Sequence, residues 1–537
     1  MKKPQTQKTP WKELFRQLDA TAMIVPLLVV VGLCILFILL PESSTRVVDG
    51  IRGFLGNQLG SFYILVGVGS LIVSLYIAFS KYGNIRLGGA DEKPAYSNFQ
   101  WGAMIFTGTM AADILYYSFC EWALYAQESR IAELGGVQDW ASTYPLFHWG
   151  PVPWSFYMVL SACFGFMIHV RKRTKQKFSE GCRALLGDKV DGPAGKIIDL
   201  FAIFALLAGT ATTFSLATPL LTAVLGDIFG IQPSVGLTVF LLVLVAAVYT
   251  ADVIIGYHAI MKMSVICAWL FFALLGYFLL GGGQAQYILE TGITAIGNLA
   301  QNFIGMVTWA DPLRSSGDGS TGFVQNWTVF YWAYWMAWCV ATPFFVGVIS
   351  KGRTVRNTII GGYIAGLAST FTSFIVFGNY GLGLEMHGRL SISEAIAAGA
   401  DIPTVILSIF HTLPLPVLAL ALLFITMVLF YATTFDSLTM VVAAYSYRKL
   451  VDVEEPHHAV RIFWAFIFII FPIGLINAQS SLASLQSVSI VAAFPIGIIL
   501  ILLVASFLKD ARAYLTGPAA PAAEKGAEAE KDAEAAP

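Results

Sequence analysis

Residues 327–349 read WTVFYWAYWMAWCVATPFFVGVI, with no charged side chain among them. As a helix this stretch would be about 35 Å long, enough to cross a hydrocarbon layer of about 30 Å. A spanning helix is therefore its first reading. The aromatic residues give a second one. Tyr331, Trp335 and Trp338 recur at i, i+4 and i+7, and Tyr334 pairs with Trp338 at i, i+4, so their rings share one side of the helix. An interfacial aromatic belt accounts for Trp327 at the end of the run. It does not account for Trp335 and Trp338, which lie roughly 12–16 Å deeper. Pro343 then removes a backbone donor and interrupts the helical ladder.

The rest of the chain agrees with a membrane reading. Of 537 residues, 57% are hydrophobic and 12% charged, about half the charge of an ordinary soluble domain. Twelve apolar segments of spanning length are expected near 20–40, 61–80, 99–123, 149–170, 196–225, 234–252, 259–281, 327–349, 357–377, 414–445, 460–477 and 484–508. Each should be helical, because lipid offers backbone groups no hydrogen-bond partners. With this division only Arg46, Arg52, Arg130, Arg314 and Arg389 fall on one side, and the other 27 of the 32 Lys and Arg residues fall on the opposite side. The positive-inside rule then places both termini in the cytoplasm of a multi-pass protein in the plasma (inner) membrane. The expected organisation is an N-terminal tail over 1–19, a transporter-sized helical domain over 20–508 and a disordered Ala/Pro-rich tail over 509–537. The segment from about 283 to 325 alternates polar and apolar residues and is expected to form an amphipathic helix along the outer face.

Composition excludes several functions. A net charge of −1 gives no nucleic-acid signature. The six cysteines have no metal-ligand spacing, and no acid/base set or cofactor motif suggests an enzyme. What stands out is polar chemistry inside apolar runs. Asp113 lies near the middle of the third segment, where a carboxylate costs roughly 3 kcal/mol on insertion scales and faces a cavity or a polar partner. Glu121 lies toward the outer end of the same segment. The fourth opens with FHWGPVPWSFY, which carries Trp149, Trp154 and Tyr157 around the helix-starting Pro151 and Pro153. The tenth carries Thr433 and Thr434, whose hydroxyls either bond back to their own helix or help to hold an alkali ion. Electron-rich rings at mid-membrane suit a quaternary ammonium group, which has no N–H to donate and is held by ring faces at about 2 kcal/mol per desolvated contact.

NWTVFYWAYWMAWC at 326–339 followed by SKGRTVRN, together with FHWGPVPW, resembles the betaine/choline/carnitine transporter family over residues 15 to 512 or so. The resemblance implies an all-α integral membrane protein of twelve transmembrane helices. Helices 3–7 and 8–12 would form two inverted five-helix repeats behind two extra N-terminal helices, and the protein would be a homotrimer in the lipid bilayer. It also implies a secondary carrier that imports an onium compound such as choline, betaine or carnitine by alternating access. Carried over by motif, the substrate-binding residues are Trp149, Trp154 and Tyr157 with Tyr334, Trp335 and Trp338, and Asp113 joins them.

The chain departs from the family pattern in three places. Tyr334 stands where the family has Trp. Thr109–Asp113, TMAAD, replaces the glycine-rich run of sodium-coupled members, so that Asp113 stands in place of its last glycine. Asp113 there favours a cation without a carboxylate, such as choline, and equally suits a proton site. The tail lacks the long basic helix of osmosensing members. No cofactor is expected beyond a coupling ion, Na⁺ or H⁺, with Met110, Thr433 and Thr434 as the ion-coupling residues and Na⁺ at Thr433 and Thr434. The sodium-independent exchangers carry an Arg and a Met where this chain has Cys267 and Thr342. Ion-coupled symport is therefore favoured over carnitine/γ-butyrobetaine-type antiport, which is the alternative.

Overall fold

The computed structural model describes residues 11–108, 112–173, 175–255, 257–314, 322–448, 456–477 and 482–517. Among these residues all regular structure is helical, and the only strand-like pairings are isolated bridges, Leu18 with Tyr447 and Arg86 with Thr354. Eight helices are long and apolar enough to cross a membrane, or ten if each of two sharply bent pairs counts as one crossing. The two expected spans missing from that set are 99–123 and 234–252. The first is described as two helices, Asn98–Gly108 and Ala112–Ala126. The second is a helix, Val235–Ile255, whose Val235–Thr250 part is apolar but short. Met110 lies outside the described residues.

The helix Pro193–Phe229 forms the central post. It packs against Leu482–Thr516, His458–Asn477, Pro416–Tyr445, Val329–Trp338 and Ala112–Ala126. In lipid there is no hydrophobic drive between helices, so close approach depends on small residues. Pro151–Gly165 and Thr342–Ile349 illustrate this: a Cβ on Gly347 would sit 2.8 Å from the Gly165 nitrogen. The second helix therefore needs glycine at this crossing, where Ser161 O would also lie 3.1 Å from the added atom.

Two interruptions shape the centre. The opening stretch bends by 51° between its two parts, with Pro343 at the start of the second. The chain also breaks at Trp149 and Gly150 between Val137–His148 and Pro151–Gly165. Pro151 starts the second helix there, a position where its missing N–H costs nothing.

Elsewhere the expectations need adjustment. A helix does occupy the 283–325 segment, over Ala285–Thr308, with Ile288, Ala295 and Leu299 buried and Leu289, Ile293 and Ile304 exposed. The last helix runs to Thr516, past the expected end at residue 508. Its Asp510 bonds to both Arg171 (2.7 Å) and Arg173 (3.1 Å), which fastens the 171–191 connector to the helix end. In that connector the Arg183 guanidinium, with Lys175, holds the Asp191 carboxyl below the usual carboxylate range.

Candidate substrate site

A cavity of about 30 Å³ lies where the broken helices meet. Asp113, Ile114, Trp149, Tyr157, Tyr334 and Trp335 line it, with Trp338, Thr342, Thr370 and Thr434. Six of the seven expected substrate residues are thus brought together from three separate helical segments. The cavity is water-sized, whereas ligand pockets commonly reach ~300–1,000 Å³. This conformation is closed, and admitting a ligand requires its walls to part.

Trp335 is the central ring. Tyr157 lies 4.8 Å from it centre to centre, Trp154 5.2 Å and Trp149 5.6 Å, each tilted or edge-on. Trp335, Tyr157 and Trp149 also line the cavity, where a ring face attracts a cation. The indole nitrogen of Trp335 is buried and has no hydrogen-bond partner among the described residues.

Trp154 corrects the expected set. It does not line the cavity; its ring packs behind Trp335 and Tyr157, and its N–H donates to the Thr370 hydroxyl at 3.3 Å. A Cβ on Gly366 would fall 2.5 Å from the Trp154 ring, so this glycine makes room for it. Thr370 in turn donates to the Trp149 carbonyl at 2.8 Å. Trp154 is therefore a buttress for the wall rather than part of it.

The two departures noted at 113 and 334 touch each other. The Tyr334 hydroxyl donates to the Asp113 carboxylate and also bonds to Thr213 at 2.5 Å. A glycine at 113 would leave that hydroxyl with Thr213 alone as its partner, and a tryptophan at 334 would remove one of the donors to the carboxylate, which also include Thr213 and the backbone N–H groups of Asp113 and Ile114. Asp113 is 3% exposed and is the only charged side chain lining the cavity among the described residues. No cluster of three or more His, Cys, Asp or Glu side chains suited to a metal occurs among the described residues.

The two threonines separate. Thr434 lines the cavity, while the Thr433 hydroxyl donates to the carbonyls of Leu429 (3.0 Å) and Phe430 (3.2 Å) in its own helix. Trp327, read as an interfacial ring from the sequence, has partners within the bundle. It is buried, stacks on Tyr331, and donates to Glu128 at 2.6 Å. Glu121, expected near the interface, is fully buried and accepts from Trp149, Tyr125 and Tyr331. Thr342, Thr370, Thr213 and Glu121 were not singled out as site residues from the sequence. Thr370 and Thr213 lie in segments with no local pattern to mark them.

A model of the betaine/carnitine/choline family of transporters matches residues 21–515. The chain is 29% identical to a probable glycine betaine transporter of Desulfitobacterium hafniense over 90% of its own length and 96% of the relative's. It is also 29% identical to the glycine betaine transporter OpuD of Bacillus subtilis, over 88% of this chain and 90% of that one. To a carnitine transporter of Acinetobacter baumannii it is 28% identical over 81% of this chain and 78% of that one.

Proposed function

The chain belongs to the betaine/carnitine/choline transporter family, and from that premise we propose that it carries a small onium compound across the membrane by alternating access, driven by ion symport. One observation carries this reading: aromatic rings beside two helix breaks, Trp149 and Tyr157 at one and Tyr334, Trp335 and Trp338 at the other, surround one cavity with a single carboxylate. Ring faces replace the water around a methylated nitrogen, and Asp113 balances its charge. A cation lacking a carboxylate fits best, because no Lys, Arg or His lines the cavity among the described residues to receive a carboxylate. A choline-like substrate is therefore preferred over the zwitterions named for the relatives.

The fuller architecture belongs to the same proposal. It comprises twelve spans in two inverted five-helix repeats over 20–508, cytoplasmic termini and a homotrimer. The 51° bend in the opening stretch supports a carrier whose first repeat helix is broken at the site. As cargo, Na⁺ would meet the Thr434 hydroxyl at the cavity. Thr433 gives its hydroxyl hydrogen to its own helix, which leaves the oxygen lone pairs able to meet a cation, so this bond is compatible with a sodium site at both threonines.

Thermal unfolding of the purified protein with choline, betaine or carnitine, each with and without sodium, tests the proposal. A ligand at 100 times its Kd adds about 2.7 kcal/mol of stability, so a true substrate raises Tm by several degrees. Choline is expected to give the largest shift. No shift with any onium compound would remove the proposal, and a shift that needs sodium would favour sodium symport.

A further inference from the structure

Behind the cavity wall lies a second buried acid that substrate contact does not use. Glu121 is fully buried, and its hydrogen-bond partners are all neutral donors. Trp149 Nε1 reaches Oε2 at 2.8 Å, the Tyr331 hydroxyl reaches Oε2 at 2.5 Å, and the Tyr125 hydroxyl reaches Oε1 at 2.6 Å. The same Tyr125 oxygen lies 2.6 Å from His148 Nδ1, and His148 Nε2 lies 3.0 Å from the Thr328 hydroxyl. A phenol has one hydrogen to give. It therefore cannot donate to Glu121 and to His148 at once, and this fixes two alternative patterns on the same heavy atoms.

In the first pattern Glu121 is ionised. Tyr125 donates to Oε1, His148 Nδ1–H donates to Tyr125, and Thr328 donates to Nε2. In the second, one proton has entered at Nε2. The Nδ1 proton passes to Tyr125, and the Tyr125 proton passes to Oε1. Glu121 then donates to Tyr125, Tyr125 to Nδ1, and Nε2–H to Thr328. One proton is gained from water when the walls of the carrier part, since His148 and Thr328 are both buried here; the hydrogen bonds along the relay survive with their direction reversed, and no heavy atom of the relay itself has to move. What changes is the charge on the acceptor of Trp149, a wall of the cavity. An ionised carboxylate grips that indole N–H more strongly than a neutral acid does.

We infer that Glu121, Tyr125 and His148 form a proton-binding relay that governs how firmly Trp149 is held, which makes the proton a coupling ion of the carrier. This rests on the proposed transport of an onium substrate and deepens it. The titratable groups facing Glu121 on its own helix are Tyr117, Cys120 and Tyr125. From the neighbouring segments come Tyr331 and, through Tyr125, His148. Asp113 lies about two turns back along the helix, and Asp401 faces Tyr116. Beyond Tyr125, Glu128 bonds to Trp327, and Arg130 lies 3.7 Å over the Trp309 ring. A buried anion held only by neutral donors, with a reversible path leading to a histidine, is what a proton site requires.

Isothermal titration of the full chain with choline, betaine and carnitine, in buffers of different ionisation enthalpy, reads affinity and protons exchanged per ligand together. The expected result is about one proton per bound ligand in the natural protein. In Glu121→Gln the count should fall toward zero when normalised to ligand bound, which loss of packing alone would not produce. For Tyr125→Phe, stopped-flow recording should show the proton signal lagging ligand binding by about tenfold, because the path is cut while the acid remains. Three results would overturn the relay: ligand binding without proton exchange, an unchanged count in Glu121→Gln, or coincident signals in Tyr125→Phe. Absence of binding by every onium compound would instead overturn the substrate reading on which the relay stands.

Discussion

Trp335→Leu lowers the affinity for choline about 30-fold, the loss of one desolvated ring face worth about 2 kcal/mol. The ring stands in contact with Tyr157, Trp154 and Trp149, and its indole N–H has no partner among the described residues to hold it for structural reasons. Leucine keeps much of the apolar volume and removes the quadrupole. Trp327→Leu is the matched control. That ring packs on Tyr125 and donates to Glu128, away from the cavity. It should lower thermal stability through the lost packing and the lost bond to Glu128, and it should change choline affinity much less than Trp335→Leu, since it reaches the cavity only indirectly through Tyr125 and Tyr331. Titration of both variants checks this. Equal affinity losses would mean that the tryptophans stabilise the bundle without forming a site.

The second large effect concerns residues 113 and 334 as a pair. Asp113→Gly should weaken choline binding relative to betaine by at least tenfold, because a charge pair about 4 Å apart is worth about 4 kcal/mol at an effective dielectric of 20. Glycine also removes the acceptor of the Tyr334 hydroxyl and leaves it Thr213 alone. Tyr334→Trp alone removes one donor from a carboxylate that keeps Thr213 and backbone N–H groups. The double variant replaces both departures with the residues that the resemblance to sodium-coupled members implies, glycine and tryptophan, and should recover betaine binding better than either single change. A double-mutant cycle on betaine affinity should give a coupling of about 1 kcal/mol or more. Additive single effects would show that the two departures are unrelated despite their contact.

The sequence made the wall of the site legible mainly through its resemblance to the family. Spacing marked Tyr331, Trp335 and Trp338 as one stripe, yet Tyr331 turns to Glu121, and Trp149, Trp154 and Tyr157 read by spacing alone as an interfacial belt. It failed where the decisive partner is far away in the chain. Glu121 looked interfacial because nothing near it in sequence marks the 210-residue separation from Tyr331 or the 28-residue separation from Trp149. Trp154 has the same local pattern as Tyr157, and only the three-dimensional crossing at Gly366 turns it behind the wall. Thr433 and Thr434 are adjacent in sequence, so pattern could not say which hydroxyl faces the cavity. The helical class was plain from apolar length. The bends at 339–341 and 149–150 were signalled only by Pro343 and Pro151, which mark an interruption but not its angle.

The central claim is that ring faces and one carboxylate hold a positive charge, not merely a shape. The direct measurement compares choline with the alcohol in which carbon replaces its nitrogen, a ligand of the same outline and no charge. Titration should give choline an affinity at least about 100-fold higher, because ring-face contacts of about 2 kcal/mol each and the Asp113 charge outweigh the cost of stripping water from the cation. The difference should shrink in Trp335→Leu. Equal affinities for the two compounds would contradict the account.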